Sequence, residues 1–342
     1  MLNSRYVLNT SISMTAIDDN TMAVISSKNR FCIKGPGMAV AVKHILELFE
    51  EPQALDGAIS ALSQKYSTAT LSKLLSYMAD KHILIDEHDA DLIQNSGNDF
   101  LGKAFFYTSG GKGLQEVIDT LAPLHIGILG TYLQANSLVH ELAKSDLLHH
   151  FHVAVTDYEA EINVANDNVH ITNYPILSGS FIPSVINASD MIIAAFNYND
   201  HYMLNKINEE CFAAGKKWLR VIADGLYAEI GPLFEPKDSC CYACLYTRWR
   251  RNMAKEEYVF NDLFETQAFH KEAKTKTAVF SALYPLYTIT AGVAVAEIFK
   301  HFTGMPCLLK NQVLSVSAQD FHTQTHYIFK DYQCPVCVKA GG

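Results

Sequence analysis

The stretch that decides the fold class is SDMIIAAF, residues 189–196, in which six apolar residues follow two polar ones. An uninterrupted apolar run of this length predicts a β-strand covered on both faces, as in the middle of a parallel sheet. A second such run, HIGIL at residues 125–129, ends at Gly130 and precedes an amphipathic helical pattern over Ala135–Leu148. Further predicted elements continue along the chain: strands at Phe151–Thr156, Val169–Tyr174, Trp218–Ala223, Val313–Ser317 and His326–Phe329, and helices at Asn199–Ala214 and Thr277–Phe302. The alternation of strands and helices predicts an α/β fold of the Rossmann-like, doubly wound kind.

The segments in front of this domain follow a different pattern. Residues 1–87 contain β-like runs, then three helical stripes, and then the short apolar run Ile83–Ile85. This order predicts a winged-helix-like module. Residues 88–122 are polar and glycine-rich, which predicts a linker with one helix near Leu114–Leu121. The Rossmann-like domain is then expected to occupy residues 123–342.

Length and composition agree with two globular domains. The chain has 342 residues, 49% of them hydrophobic, and a formal net charge of −9. The negative charge argues against an overall nucleic-acid-binding surface. The N-terminus has no secretory signal pattern, and eight cysteines are too few for a disulfide scaffold, so we expect a cytoplasmic protein. The uncharged stretch Ala278–Ala296 contains Pro285 and several hydroxyl residues and lacks the flanks of a membrane span, which favours a buried helix and no membrane contact.

The strongest local signal is a pair of CxxC motifs, Cys241–Cys244 and Cys334–Cys337. Four thiolates satisfy tetrahedral Zn²⁺ and leave no open position, so the pattern predicts a structural zinc site with Cys241, Cys244, Cys334 and Cys337 as its ligands. Two unrelated thiol pairs or a redox CxxC are the alternatives. The neighbouring Cys240 leaves the register of the first motif open. The residues Cys32, Cys211 and Cys307 are expected to be buried apolar fillers.

A weaker signal is a reduced nucleotide-binding motif. Gly127 and Gly130 follow a predicted strand and precede a helix, but the spacing is GxxG, and Gln134 and Ala135 stand where a third glycine is expected. No Lys or Arg occurs in residues 145–205, so a triphosphate would find no cation there. Asp157 alone is a weak candidate for a ribose contact. The sequence therefore predicts no ATP site in this chain, and it indicates no catalytic or cofactor-binding residue.

Several of these motifs together resemble the ThiF-type fold of ubiquitin-activating-like enzymes. The matching segments are residues 189–195 (SDMIIAA), Asn199-Asp200, residues 208–211 (NEEC), residues 215–218 (GKKW), residues 231–236 (GPLFEP), the first CxxC motif, the long helix and the terminal Cys334-Pro-Val-Cys337. The resemblance covers residues 123–338. Residues 1–87 resemble the winged-helix peptide clamp called the RiPP recognition element, which is PqqD-like. The combination is similar to the ThiF-like proteins of peptide natural-product clusters, which include microcin-type adenylating enzymes and partner subunits of YcaO cyclodehydratases.

Departures from the family pattern favour the partner subunit. Adenylating members carry a glycine-rich loop, an acidic strand end, an Asn-x-x-Arg segment and a Lys, and here the loop is eroded and residues 145–205 supply no Arg or Lys. The resemblance then implies a non-catalytic subunit that binds the leader of a precursor peptide and presents it to a YcaO enzyme, which makes thiazoles or oxazoles. In such clamps the leader adds as a strand beside the third strand and packs on the third helix. By position the implied contacts are Phe31, Ile33, Leu71, Leu74, Leu75 and Met78.

The resemblance also implies a homodimer and, as a further partner, a flavin-dependent dehydrogenase. Two other functions remain open from the sequence. One is an ATP-dependent adenylating enzyme acting on a ribosomal peptide, as in the microcin type. The other is a structural homodimer or regulator without a peptide ligand.

Overall fold

The computed structural model describes residues 4–10, 12–25, 30–95, 114–156, 161–174, 181–252 and 282–338. The chain divides into two compact units, Met1–Asp119 and Thr120–Gly342.

The first unit contains short strands and small helices. Its strands are β1 (Arg5–Leu8), β2 (Ser13–Asp18), β3 (Thr21–Ile25), β4 (Arg30–Lys34), β5 (Gln53–Ala54) and β6 (Leu84–Asp86). Its helices are α1 (Met38–Leu48), α2 (Leu55–Leu62), α3 (Thr68–Asp80), α4 (Glu87–Asn95) and α5 (Leu114–Leu121). The predicted order of strands, three helices and a last β run is confirmed. Because α4 packs on β1 and β6, this unit extends past the predicted boundary at residue 87.

Two three-stranded sheets frame the first unit, in the orders β5-β1-β6 and β2-β3-β4. One face of each of the three helices α1 to α3 is apolar and packs into a common core with the inner face of β3 and β4. Helix α3 begins at Ser67, whose hydroxyl accepts a hydrogen bond from the Thr70 N–H, as an N-cap does. Strand β4 pairs with β3 and forms an edge of its sheet.

The second unit is built on one eight-stranded sheet. Its strands are β7 (His125–Gly130), β8 (His150–Val155), β9 (His170–Tyr174), β10 (Met191–Phe196), β11 (Lys217–Asp224), β12 (Tyr227–Phe234), β13 (Gln312–Ser317) and β14 (Thr323–Tyr327). Its helices are α6 (Tyr132–Ala143), α7 (Ile182–Ala188), α8 (His201–Ala214), α9 (Tyr242–Asn252) and α10 (Tyr284–Thr303).

The strand order is β14-β13-β12-β11-β10-β7-β8-β9. The five strands β11, β10, β7, β8 and β9 run parallel to one another. The strands β12, β13 and β14 extend the sheet beyond β11 with antiparallel pairing. Chain order reverses between β7 and β10, which is the switch point of a doubly wound fold. The α/β prediction is therefore confirmed, and so is the central position of SDMIIAAF, because every residue of β10 is buried.

Several elements differ from the sequence prediction: α7 and α9 were not predicted, and the bounds of α10 and β14 are shifted. Strand β12 was not predicted, because Gly231 and Pro232 favour a turn over a strand. Helix α6 starts and ends earlier than the predicted Ala135–Leu148. The end of α6 is followed by Asp146, which has a positive φ of 52° and begins the turn toward β8.

Helix α10 contains residues 284–296 of the uncharged stretch that the sequence flagged. It packs on α6 and on the sheet at β11 and β12, and ten of its residues are buried. Its C-cap, Gly304, has a φ of 77°, which a residue with a Cβ seldom adopts. Within the described ranges, no helix combines the length and apolar character needed to cross a membrane. The middle of the predicted linker lies outside the described residues.

Candidate functional site

Four buried cysteines from distant parts of the second unit form one cluster. Cys241 and Cys244 stand at the start of α9, and Cys334 and Cys337 follow β14. The Sγ atoms of Cys241 and Cys334 are 3.4 Å apart, and those of Cys244 and Cys337 are 3.5 Å apart. All four sulfurs lie within 4.8 Å of one another. Sulfurs bound at about 2.3 Å around a tetrahedral metal lie about 3.8 Å apart, so the donor set and its spacing fit a metal ion.

The surroundings of the cysteine cluster shift the pKa values of its thiols in different directions. A hydrogen bond from the Cys241 thiol lowers the pKa of Cys244, and the backbone N–H of Asp331 also donates to the Cys244 sulfur at 3.3 Å. Burial raises the pKa of Cys337 to about 12. Four thiolates in so small a volume require a cation to offset their charge, and metal binding would therefore release protons.

Two backbone N–H groups next to the cysteine cluster donate to asparagine side chains, which hold the segment leading into α9 in place. The Tyr242 N–H donates to Asn208 Oδ1 of α8 at 2.9 Å, which satisfies a free donor at the start of α9. The Cys240 N–H donates to Asn311 Oδ1 at 2.8 Å. Cys240 is buried but is not a member of the cluster, so the register question is answered in favour of Cys241.

The three remaining cysteines lie apart from the cluster. Cys211 is fully buried, as expected for an apolar filler, and Cys307 is partly buried. The expectation for Cys32 was wrong, because this side chain is exposed on β4.

Two hydrogen bonds connect the segments that follow β7 and β10 at the switch point of the sheet. In doubly wound folds, ligands bind in the crevice at the carboxyl ends of the strands where the order reverses. Here the Thr131 N–H donates to the Ala195 carbonyl at 2.9 Å, and the Asn197 N–H donates to Thr131 Oγ1 at 3.0 Å. Thr131 is the one residue between β7 and α6, which leaves no extended loop to surround a phosphate group.

Both glycines of the reduced motif have a packing role. A Cβ on Gly130 would lie 1.6 Å from the carbonyl oxygen of Ala195 in the neighbouring strand. A Cβ on Gly127 would lie 2.5 Å from the Ile192 side chain. The glycines therefore allow β7, β10 and α7 to approach closely, which accounts for their presence without a nucleotide.

The first turn of α6 is occupied by side chains. Gln134 is fully buried, and its Nε2 donates to Thr290 Oγ1 of α10 at 2.7 Å. Ala135 is also fully buried. Asp157, the weak ribose candidate, lies outside the described residues.

Sequence reasoning missed a buried cation near the switch point. Arg220 of β11 is 3% exposed, and its Nη2 donates to Asn199 Oδ1 at 2.5 Å and to Glu229 Oε2 at 2.6 Å. The sequence did contain an indication of this cation, because Arg220 interrupts an otherwise apolar predicted strand.

The six residues implied as leader contacts lie in and around one part of the first unit. Five of them are buried in its core: Ile33, Leu71, Leu74, Leu75 and Met78. Phe31 of the edge strand β4 is partly exposed, and its ring meets that of Tyr77 edge-on at 6.1 Å between centroids. Tyr77 of α3 is 38% exposed, and Lys81 Nζ lies 5.8 Å from its ring centroid. The surface beside β4 is thus formed by Phe31, Tyr77 and Lys81, and the sequence identified one of these three.

In the eight-stranded sheet of the second unit, histidines cluster at the amino ends of the neighbouring strands β7, β8 and β9. The rings of His125 and His150 are stacked at 4.6 Å, and those of His150 and His170 at 5.3 Å. Burial and the charge of His125 lower the pKa of His150 and of His152. These histidines are not isolated surface residues. Among the described residues, the cysteine cluster is the one set that could hold a metal through three or more His, Cys, Asp or Glu side chains.

No protein-family model matches the chain, and no match was found among curated proteins. Among solved structures, the chain is similar to E. coli MccB with ATP, at a TM-score of 0.70 and 14% identity over 97% of this chain and 99% of MccB. It is equally similar to E. coli MccB with AMPCPP and the peptide MccA, at a TM-score of 0.69 and 14% identity over 98% and 99% of the two chains. It is also similar to the heterocyclase TruD, at a TM-score of 0.65 and 14% identity over 98% of this chain and 43% of TruD. The likeness extends over both units, and it establishes that each has the fold found in these proteins.

Proposed function

We propose that this chain is the leader-peptide-binding scaffold subunit of a peptide-modifying complex, in which it presents a ribosomal precursor peptide to a YcaO-type cyclodehydratase. The resemblance to ThiF-like proteins with a PqqD-like recognition element suggested this function from sequence. The fold similarity to MccB, which was crystallised with the peptide MccA, and to the heterocyclase TruD supports a role in modifying ribosomal peptides.

The observation that carries the proposal is the edge of β4 beside α3. Strand β4 has β3 on one side, and no other described strand pairs with its second edge. A peptide can add to such an edge through main-chain hydrogen bonds while its side chains contact the neighbouring surface. Phe31 and Tyr77 supply an aromatic surface at this edge, and Lys81 supplies a cation. Winged-helix architecture and peptide capture by residues 1–87 are parts of the same proposal.

The short link between β7 and α6 supports a non-catalytic role for the second unit. Phosphate binding at a helix start is favoured by a loop whose backbone N–H groups surround the anion, and here that link is the single residue Thr131, whose own N–H donates to the Ala195 carbonyl. In this proposal the partner enzyme holds the ATP. A homodimer, a YcaO enzyme and a flavin-dependent dehydrogenase are the proposed assembly partners, and the proposed location is the cytoplasm.

We also propose Zn²⁺ as the metal of the cysteine cluster. Four soft thiolates with no open position favour zinc in a structural site. The metal would join the chain end after β14 to the start of α9, which also packs on α8.

Leader binding should depend on Tyr77. We expect Tyr77→Ala to raise the Kd of the full chain for a fluorescently labelled leader peptide about tenfold, since truncating an exposed aromatic anchor costs about 1–2 kcal/mol. The peptide is the one encoded beside this chain's gene, and the measurement is fluorescence anisotropy.

The matched control is Ile17→Ala on β2, at the other edge of the same sheet, where Ile17 is 64% exposed. It should change the Kd less than about twofold. Equal losses in both variants, or no leader binding by the unaltered chain, would contradict the proposal.

A second function, ATP-dependent adenylation of a ribosomal peptide, is favoured by one observation. The similarity to MccB, including its complex with ATP, extends over 99% of that enzyme, whereas it covers 43% of TruD. The buried Arg220, which donates to Asn199 after β10, would supply a cation on the strand next to the switch point.

The two functions differ in their use of ATP. We expect calorimetry with Mg-ATP to give no heat of binding at micromolar concentrations, because the single residue Thr131 links β7 to α6 and no glycine-rich loop is present there to surround phosphates. We also expect no pyrophosphate exchange when the precursor peptide is added. Micromolar ATP binding with peptide-dependent exchange would replace the scaffold function by adenylation.

A further inference from the structure

A cavity of about 220 Å³ lies entirely within the second unit, between α9 and the strands β11 to β13. Its lining includes Arg220 from the sheet, His201 from the start of α8, and Tyr242, Tyr246 and Trp249 from α9. An apolar cavity of about 150 Å³ is large enough for benzene, so this one has room for a single aromatic or aliphatic group together with a polar head.

The walls of the cavity are aromatic. The His201 ring lies 4.7 Å from the Tyr246 ring and 4.8 Å from the Trp249 ring, measured between centroids. Tyr242 and Tyr246 are stacked at 6.2 Å with their planes 14° apart. Trp249 is 40% exposed, which makes part of its ring accessible to solvent. Such walls favour a flat apolar body.

Three buried polar atoms of the lining have no hydrogen-bond partner among the described residues. They are Arg220 Nε, His201 Nε2 and the Tyr246 hydroxyl. Arg220 and His201 are 3% and 2% exposed, so neither is satisfied by bulk solvent. Buried polar groups in folded proteins are nearly always paired, and a set of unpaired ones that lines a cavity indicates a missing ligand.

The charges around the cavity favour a ligand that accepts hydrogen bonds. Arg220 and Arg248 contribute two positive charges, and Glu229 contributes one negative charge, since all three line the cavity. Arg220 already donates to Glu229 through Nη2, and its Nε–H remains available. Burial and the nearby charges of Arg220 and Arg250 lower the pKa of His201 to about 3, so its ring is neutral near pH 7. Its Nδ1 shares a hydrogen bond with the Tyr242 hydroxyl at 2.5 Å.

We propose that this cavity binds a carboxylate carried on a flat apolar body about the size of one side chain. The carboxylate would accept hydrogen bonds from the Arg220 Nε–H and the Tyr246 hydroxyl, while the body packs among His201, Tyr246 and Trp249. A free aromatic acid and the carboxyl-terminal residue of a peptide both offer this chemistry. The cavity belongs to the second unit and the β4 edge to the first, and the test below does not use the leader peptide.

Hippurate, an aromatic acid, and hippuramide, its neutral counterpart, test the proposal on the full chain. Binding is followed by calorimetry and by the fluorescence of Trp249, one of two tryptophans in the chain; the other, Trp218, is fully buried. We expect hippurate to bind at least about tenfold more tightly than hippuramide, because the amide cannot offer a charged acceptor. Equal affinities, or no saturable binding of either compound, would overturn the proposal.

Variants assign the binding to this cavity. Tyr246→Phe removes a hydroxyl without a described partner and should weaken hippurate binding about fivefold, while Arg220→Gln should weaken it further. Because Arg220→Gln also removes the ion pair between the buried Arg220 and Glu229, which supports the fold, Tyr246→Phe is the deciding variant. Its matched control is Tyr227→Phe, at a tyrosine that is 58% exposed and does not line the cavity. Equal affinity of Tyr246→Phe and Tyr227→Phe would overturn the assignment.

Two further probes separate the sources of the carboxylate. The first probe is the dipeptide N-acetyl-Ala-Phe, which has a free, charged carboxyl terminus. The second probe is N-acetyl-Ala-Phe amide, in which an uncharged amide replaces that carboxylate. Tighter binding of this dipeptide than of hippurate would support a peptide terminus, and tighter binding of hippurate would support a free acid. If the dipeptide and its amide bound equally well, a carboxylate site would be excluded.

Discussion

Replacing Cys337 by serine should give protein that has lost its metal and much of its stability. The four sulfurs of the cluster come from two segments separated by 89 residues between Cys244 and Cys334, and a shared metal would cross-link them. Structural zinc contributes about 10–16 kcal/mol of apparent binding free energy in zinc-finger peptides. The second unit also has a large apolar core, so we expect the free energy of unfolding to fall by on the order of 5 kcal/mol.

The measurements are zinc content by elemental analysis and unfolding in guanidinium chloride. Cys240→Ser is the matched control, because Cys240 is adjacent to the cluster and equally buried but contributes no ligand. It should keep one zinc per chain. A full equivalent of zinc in Cys337→Ser, or its loss from Cys240→Ser, would refute the ligand assignment.

The sequence predicted this site because thiol chemistry and CxxC spacing depend little on the surrounding fold. What it could not predict was the strand that leads into the first motif. Strand β12 contains Gly231 and Pro232, which are rare inside a sheet. The structure accommodates them at an irregularity in the pairing of β11 with β12, where the register shifts between Leu219 and Val221. Irregularities of this kind depend on how a strand pairs with its neighbours, so the local sequence pattern does not predict them.

The proposed peptide-binding surface was predicted only in outline. Helical spacing identified Leu71, Leu74 and Leu75 as one face of α3, and the same spacing is expected of a core face. The structure buries that face. Tyr77 stands one position before the buried Met78 and is exposed, a distinction that depends on how α3 packs against β4. Sequence periodicity therefore located the helix but not the side chains available to a ligand.

The pair Gly127 and Gly130 illustrates a related ambiguity. A glycine after a strand can serve a phosphate group or a neighbouring strand, and both requirements favour the same residue. The structure distinguishes them by contact. The carbonyl of Ala195 occupies the space beside Gly130, and it also accepts a hydrogen bond from Thr131. Substitution at these glycines should therefore affect folding before it affects any ligand.

Gly130→Ala should destabilise the second unit by on the order of 3 kcal/mol or more, because backbone atoms of β7 and β10 would have to separate. Gly127→Ala should cost less, since its Cβ meets side-chain atoms of Ile192, Ser189 and Val185 and no backbone atom. Gly292→Ala is the control: Gly292 lies inside α10 with no atom within 4 Å of the added Cβ, so alanine should stabilise the helix by about 1 kcal/mol.

Guanidinium unfolding of the three variants measures this order directly. If Gly130 is required for strand packing, Gly130→Ala should unfold at a much lower guanidinium concentration than the unaltered chain. A glycine kept for a phosphate predicts a normally folded Gly130→Ala protein that has lost only nucleotide binding. Unchanged stability of Gly130→Ala would therefore disprove the packing role, and it would reopen the switch point as a nucleotide site.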